Sequence, residues 1–236
     1  MSTPSRSDLV TLDLDAPIPG TWGLVTALCV VHLASLGWAG GRLGLVDALV
    51  LGRPDWLRVA LGGQTATLVE GGQVWRLATS VWIHADLLHL SLNALAILAL
   101  GRILEPWLGA GRLLGAFAIG GVMASLASHA VGVPRSDGAS GGAFALLGVA
   151  VVLGIRWRRR LDARDARLLG PVLWGLTLAN VVLGFVVPRI DAIAHVGGLG
   201  VGIALGILLG IPGDRHVATF AAAAFATVSA WGWSIG

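Results

Sequence analysis

Seven apolar runs, each close to the length a helix needs to cross a bilayer, constrain this 236-residue chain more than any other feature. Spanning the hydrocarbon core takes about 20 predominantly apolar residues. The runs fall at roughly Trp22–Gly40, Leu88–Leu104, Arg112–Val131, Ser140–Trp157, Leu169–Val187, Ala192–Ile211 and Val217–Ile235. In lipid every backbone polar group must be satisfied within the segment, so such runs are expected to be helices. The predicted fold is therefore an all-α polytopic membrane protein. With 56% hydrophobic and 12% charged residues, a soluble domain is excluded. All 16 basic residues are arginine and the net charge is only +3, so nothing marks a nucleic-acid surface. Cys29 is the only cysteine and lies inside the first run, which leaves no disulfide framework and no cysteine metal site. The first 21 residues are polar, with no small-residue cleavage site behind them, so the Trp22 run reads as a retained span.

Orientation follows from the arginines. The segment after the fourth run carries Arg156, Arg158, Arg159, Arg160, Arg164 and Arg167. Placing it in the cytoplasm puts ten arginines inside and six outside. The N-terminus is then cytoplasmic, and Ser140, His84, His89 and His195 all lie towards the external face. The connection from Gly41 to Ile83 is too long for an ordinary turn. Pro54 and the pairs Gly62-Gly63 and Gly71-Gly72 break it up, so it is expected to be a folded external loop, with Trp56, Trp75 and Trp82 at headgroup level.

Three polar groups accompany these runs. Gly138-Ala-Ser140-Gly141-Gly-Ala-Phe144 sets a serine where a helix starts, among N–H groups without intrahelical partners. Such donors can stabilise an oxyanion, although small residues in a membrane helix serve packing equally well. In His84-Ala-Asp-Leu-Leu-His89-Leu-Ser-Leu-Asn93, His89 and Asn93 are about 40° apart on one helix face; His84 falls at the end of the loop. In the sixth run, Gly198, Gly202, Gly206 and Gly210 recur every fourth residue on the face that carries His195. This small-residue stripe lets a neighbour approach at backbone distance. Asp191, four residues before His195, is either a helix cap or an orienter of the imidazole. Arg76 and Glu105 fall on opposite sides of the membrane and are expected to be structural, Arg76 tying the external loop to itself. His32, His129 and His216 are expected to be structural too.

These residues resemble the rhomboid family of intramembrane serine proteases. Its Trp-Arg dipeptide, His-x4-His-x3-Asn, Glu-x3-Gly, Gly-x-Ser-Gly and Ala-His-x2-Gly patterns stand here in order as Trp75-Arg76, His84/His89/Asn93, Glu105/Gly109, Gly138–Gly141 and Ala194–Gly198. The resemblance covers roughly Gly71 to Gly210. It implies a six-helix rhomboid-like bundle over residues 22–211, after a cytoplasmic segment 1–21, with one additional C-terminal transmembrane helix in 212–236. It further implies Ser140 as nucleophile, His195 as general base, and His89 and Asn93 as oxyanion donors. Gly138 would bend the loop towards the serine, beside Gly141, and Gly198 and Gly202 would pack the fourth span on the sixth. Where many members carry Tyr stacked on the histidine, this chain has Phe144, which keeps the ring and drops the hydroxyl.

A serine hydroxyl needs a base to become nucleophilic, and imidazole serves near neutral pH. Water would enter by an external mouth lined by His84, His89 and the Ser136-Asp137 loop. The expected activity is cleavage of single-span transmembrane proteins within the bilayer through an acyl-enzyme, without cofactor, metal or nucleic acid. The expected setting is the plasma membrane of a bacterium. Two rivals stand beside it: a catalytically inactive rhomboid-like protein that binds transmembrane clients, and a zinc site at His84, His89 and His195.

Overall fold

The computed structural model describes residues 11–38, 52–187 and 190–209. The seventh run, the 212–236 segment and the first ten residues lie outside the described residues.

Helix α1 spans Pro19–Trp38. After it, α2 (Asp55–Ala60), β1 (Gln64–Thr65), α3 (Ala66–Glu70), α4 (Arg76–Thr79) and a 3-10 turn over Ser80–Trp82 build the loop before α5 (Leu87–Leu108). Then come α6 (Ala110–Ala130), β2 (Arg135–Ser136), α7 (Ser140–Trp157), α8 (Ala163–Arg167), α9 (Leu173–Val186) and α10 (Ala192–Leu209). Among the described residues, five helical stretches, α1, α5, α6, α7 and the Ala163–Val186 run containing α9, are long and apolar enough to cross a membrane; α10 is apolar and shorter. The predicted all-α polytopic architecture is what forms.

The bundle is built around α7. Every residue from Gly141 to Gly154 is buried, as expected of a helix that is apolar all round. Its two broad faces take α6 and α10, and glycine makes both contacts possible. A Cβ on Gly142 would lie 2.6 Å from the Phe117 ring of α6, and one on Gly141 would lie 2.5 Å from the Ala124 Cβ. On the other face, side chains at Gly198 and Gly202 would collide with the carbonyls of Gly141 and Ala145. The stripe on the sixth span thus does what its spacing predicts: it brings α7 and α10 together backbone to backbone.

α9 differs from the other spans. Its entry is a π-turn over Leu168–Val172, with Gly170 at φ −96°, ψ −111° and Pro171 next to it. The fifth span is therefore kinked at its start, because proline removes a helical hydrogen bond and clashes with the preceding turn. Among the residues of α9, only Leu173, Thr177 and Gly184 are buried.

At the same end of the bundle, Glu105 in the last turn of α5 caps α1. Its carboxylate accepts from the N–H groups of Gly20 (2.8 Å) and Thr21 (2.7 Å) and from the Thr21 hydroxyl (2.6 Å). These are donors that a helix start leaves without partners, and a carboxylate there also complements the helix dipole. As expected, Glu105 does not meet Arg76.

The loop before α5 departs from expectation in one respect. Trp75 is buried within the protein, with the Arg76 guanidinium over its ring at 4.5 Å, so it offers no ring to the membrane surface; Trp56 is half exposed. Arg76 threads the loop together, donating to Val59 O (2.7 Å), Gly63 O (2.8 Å) and Gln73 Oε1 (2.7 Å).

Removing the Glu105 acceptor by Glu105→Ala strands buried donors at about 1–3 kcal/mol each. The variant is expected to melt several degrees lower in detergent, with Glu105→Gln intermediate. An unchanged midpoint for Glu105→Ala would show that the cap contributes nothing.

Candidate active site

Ser140 is the first residue of α7, and the loop before it is anchored residue by residue. Arg135 and Ser136 pair antiparallel with Thr65 and Gln64. The Gly138 N–H donates to Ser80 O (2.9 Å). The Ala139 N–H donates to His84 Nε2 (3.2 Å). Gly138 has φ +121°, a backbone region glycine enters without penalty. It also lies against His89: a Cβ there would stand 2.7 Å from Cε1 and 2.8 Å from Nε2 of that ring.

His89 lies in the first turn of α5 under the N-cap Asp86, whose carboxylate accepts the His89 N–H at 2.7 Å. One turn on, Asn93 is buried and its Nδ2 donates to His89 O at 2.9 Å. The His89 ring turns towards the loop that leads to Ser140, and Asn93 follows it by one turn on the same face. The second N–H of the Asn93 amide remains available for another acceptor.

On α10, the His195 imidazole stacks on the Phe144 ring, with centroids 4.1 Å apart and planes 15° apart. Phe144 lies one turn after Ser140 on the same helix face, so the imidazole stacks on the turn of α7 that follows Ser140. The phenyl ring does this without a hydroxyl. Nδ1 of His195 is buried with no hydrogen-bond partner; a Cβ on Gly184 of α9 would approach it to 3.3 Å.

Asp191 resolves as a cap. Its Oδ1 accepts the Ala194 N–H (2.9 Å) and its Oδ2 accepts the Ser128 hydroxyl of α6 (2.6 Å). Both oxygens are engaged away from the imidazole.

Two expectations about the mouth are corrected. His84 does not line it: the side chain is fully buried, edge-on to His89 at a centroid distance of 5.1 Å. Burial, reinforced by the neighbouring His89, pushes its imidazole well below the ordinary pKa. It is therefore neutral, with Nδ1 at 3.3 Å from Trp82 O and Nε2 accepting from Ala139. Its place is under the serine loop, not in front of it. Asp137 is likewise no mouth residue, since its side chain is only 3% exposed and lies beneath Arg58.

His32 is buried on α1 with both ring nitrogens unpartnered. Beside it, the buried Arg53 guanidinium donates to His32 O (2.7 Å) and His84 O (3.1 Å), tying α1 to the start of α5. Neither Arg53 nor the Arg58–Asp137 pair is legible from spacing, because each contact joins segments far apart in the chain. Among the described residues, no three His, Cys, Asp or Glu side chains are grouped to hold a metal ion, which leaves the zinc rival without a ligand set there.

The model of the Rhomboid domain matches residues 71–212, and the chain belongs to the rhomboid family. It is 32% identical over 154 residues to the Rhomboid protease GluP of Bacillus subtilis, covering 65% of this chain and 30% of that one. It is 34% identical over 152 residues to RHOMBOID-like protein 5 of Arabidopsis thaliana, covering 63% and 48%. With Rhomboid-like protease 2 of Toxoplasma gondii it shares 30% over 183 residues, covering 76% and 61%. Each alignment takes in less than two thirds of the relative's own length.

Gly138→Ala places a methyl group against the His89 ring in a strained backbone region. It is expected to lower the rate at which a fluorophosphonate labels Ser140 by roughly 10²-fold, the scale set by a displaced oxyanion donor, with helix content unchanged by circular dichroism. Wild-type labelling would show that Gly138 is not what positions His89.

Proposed function

We propose that this chain is an intramembrane serine endopeptidase with Ser140 as nucleophile and His195 as general base. The observation that carries the reading is the Phe144–His195 stack. It holds an imidazole against the helix turn that Ser140 opens, while Gly198 and Gly202 set the helix separation. His195 takes the hydroxyl proton as Ser140 Oγ attacks the scissile carbonyl. The oxyanion is held by the Ser140 N–H, an orphan donor at the helix start, with His89 and Asn93. Collapse expels the amine, which takes the proton from His195, and leaves an acyl-enzyme. Water then attacks the ester, giving its proton to the same imidazole, and the released Ser140 oxygen takes it back.

The substrate class we infer is a single-span transmembrane protein with a helix that unwinds near the external face. The setting inferred from the arginines is a bacterial plasma membrane with the N-terminus cytoplasmic. Entry falls to α9, supported by its kinked start, its sparse burial and an apolar cleft of about 390 Å³ lined by Trp174, Thr177, Val181 and Leu199.

Ser140→Ala and His195→Ala should each abolish cleavage of a reconstituted transmembrane substrate, whereas His89→Ala and Asn93→Ala retain a residue of activity. Wild-type turnover by Ser140→Ala would end the proposal. Absence of both labelling and cleavage in the unmodified protein would favour the client-binding rival. A disulfide pinning α9 to α5 should slow cleavage of a transmembrane substrate, and undiminished cleavage would remove α9 as the entry.

A further inference from the structure

Three residues before Ser140, the Asp137 carboxylate reaches back into the external loop. Its Oδ2 accepts from Arg58 Nη1 at 2.9 Å and its Oδ1 from the Gln64 N–H at 3.0 Å. The approach is close enough that a Cβ on Gly63 would stand 2.7 Å from Asp137 Oδ1. Arg58 is held in turn: it bridges to Asp55, which also pairs with Arg135 two residues before Asp137. The platform beneath is fixed by Arg76 through Val59 O and Gly63 O.

We propose that Asp137 and Arg58 form a clamp that positions the Ser140 loop, so that the external loop sets the geometry of the reaction without touching substrate. The inference rests on the protease reading for its consequence and on the contacts above for its existence. A buried ion pair is weak evidence for stability, and here it is held against a preference for the neutral acid. Burial pushes the Asp137 carboxyl up to about 6, with Arg58 and Arg135 lowering it in part and Asp55 raising it. A carboxyl whose folded pKa is raised contributes stability that is full at low pH and is lost as pH rises through about 6. The clamp is therefore charged at neutral pH at the expense of stability, and it releases on acidification. A contact retained on those terms is positional.

The test uses the full-length chain in liposomes. Asp137→Asn keeps the shape and an acceptor for Gln64 but removes the charge that holds Arg58, which keeps Asp55 as a partner. The expected result is a kcat lower by roughly 10–100-fold, the scale for misplacement of reacting groups by about 1 Å. KM should stay within about twofold, since ground-state binding is untouched, and the melting temperature at pH 7.5 should be at or above wild type. Arg58→Lys, which keeps a cation, should retain several-fold more activity than Arg58→Gln. Wild-type kcat in Asp137→Asn, or a loss that only follows a lowered melting temperature, would overturn the clamp while leaving the protease reading intact. Amide hydrogen exchange at Gly138 and Ala139 reads the same clamp without turnover. It should rise in Asp137→Asn, and unchanged exchange would overturn the inference whether or not the protein cleaves.

Discussion

Everything in the bundle depends on how closely α7 and α10 approach. Their contact is made by backbone, with Gly198 and Gly202 set against the carbonyls of Gly141 and Ala145, and Gly148 receiving the Leu199 carbonyl from the other side. A membrane offers no hydrophobic gain for bringing two helices together, so the stabilisation comes from dispersion over a long close contact. That contact has a chemical consequence. At Gly198 and Gly202 no side chain separates the helices, so no flexible layer absorbs a change in spacing there. The imidazole of His195 therefore meets the start of α7 at a separation set by the glycines, with the Phe144 ring as a flat support.

The Ser140 loop is held on different terms. Its restraints are polar and come from outside the bundle: the Gln64–Ser136 and Thr65–Arg135 ladder, Ser80 O, His84 Nε2 and the Arg58–Asp137 pair. Each bond is modest by itself. Together they define residues 135–139 almost atom by atom, and several depend on a loop that Arg76 organises. The family's Trp-Arg dipeptide thereby acquires a physical role at a distance: Arg76 holds Gly63, and Gly63 leaves room for Asp137.

What could be read from the sequence divides along the same line. The spans among the described residues were legible because lipid imposes a length and composition that few other structures share. The glycine stripe was legible because its period is the helix period. His89 and Asn93 share a helix face because four residues separate them. The loop helices α2, α3 and α4 were not legible. Each has six residues or fewer, too short to stand alone, and each exists because side chains such as Arg76 and Thr79 satisfy its surroundings. Asp137 was visible as a loop residue, but its burial under a partner 79 positions away leaves no local trace. Asp191 is the intermediate case. Position allowed either a cap or an imidazole partner, and the hydroxyl of Ser128, from a third helix, decided between them.

Two kinds of restraint then meet at one serine. The helix contact cannot tighten without a clash of backbone atoms or widen without losing its dispersion contact, so the distance between α7 and α10 is a property of the fold. The loop contact can yield, because a carboxylate and a guanidinium exchange partners with protons and with water. Any adjustment of the proposed nucleophile relative to His89 must therefore come through residues 135–139. α9, the least buried of the spans, meets the proposed site at Gly184 beside the unpartnered Nδ1 of His195. A glycine at that point lets the helix slide past the imidazole without gripping it. If substrate enters by α9 as proposed, it changes what reaches the site while leaving the helix spacing behind the proposed dyad unaltered.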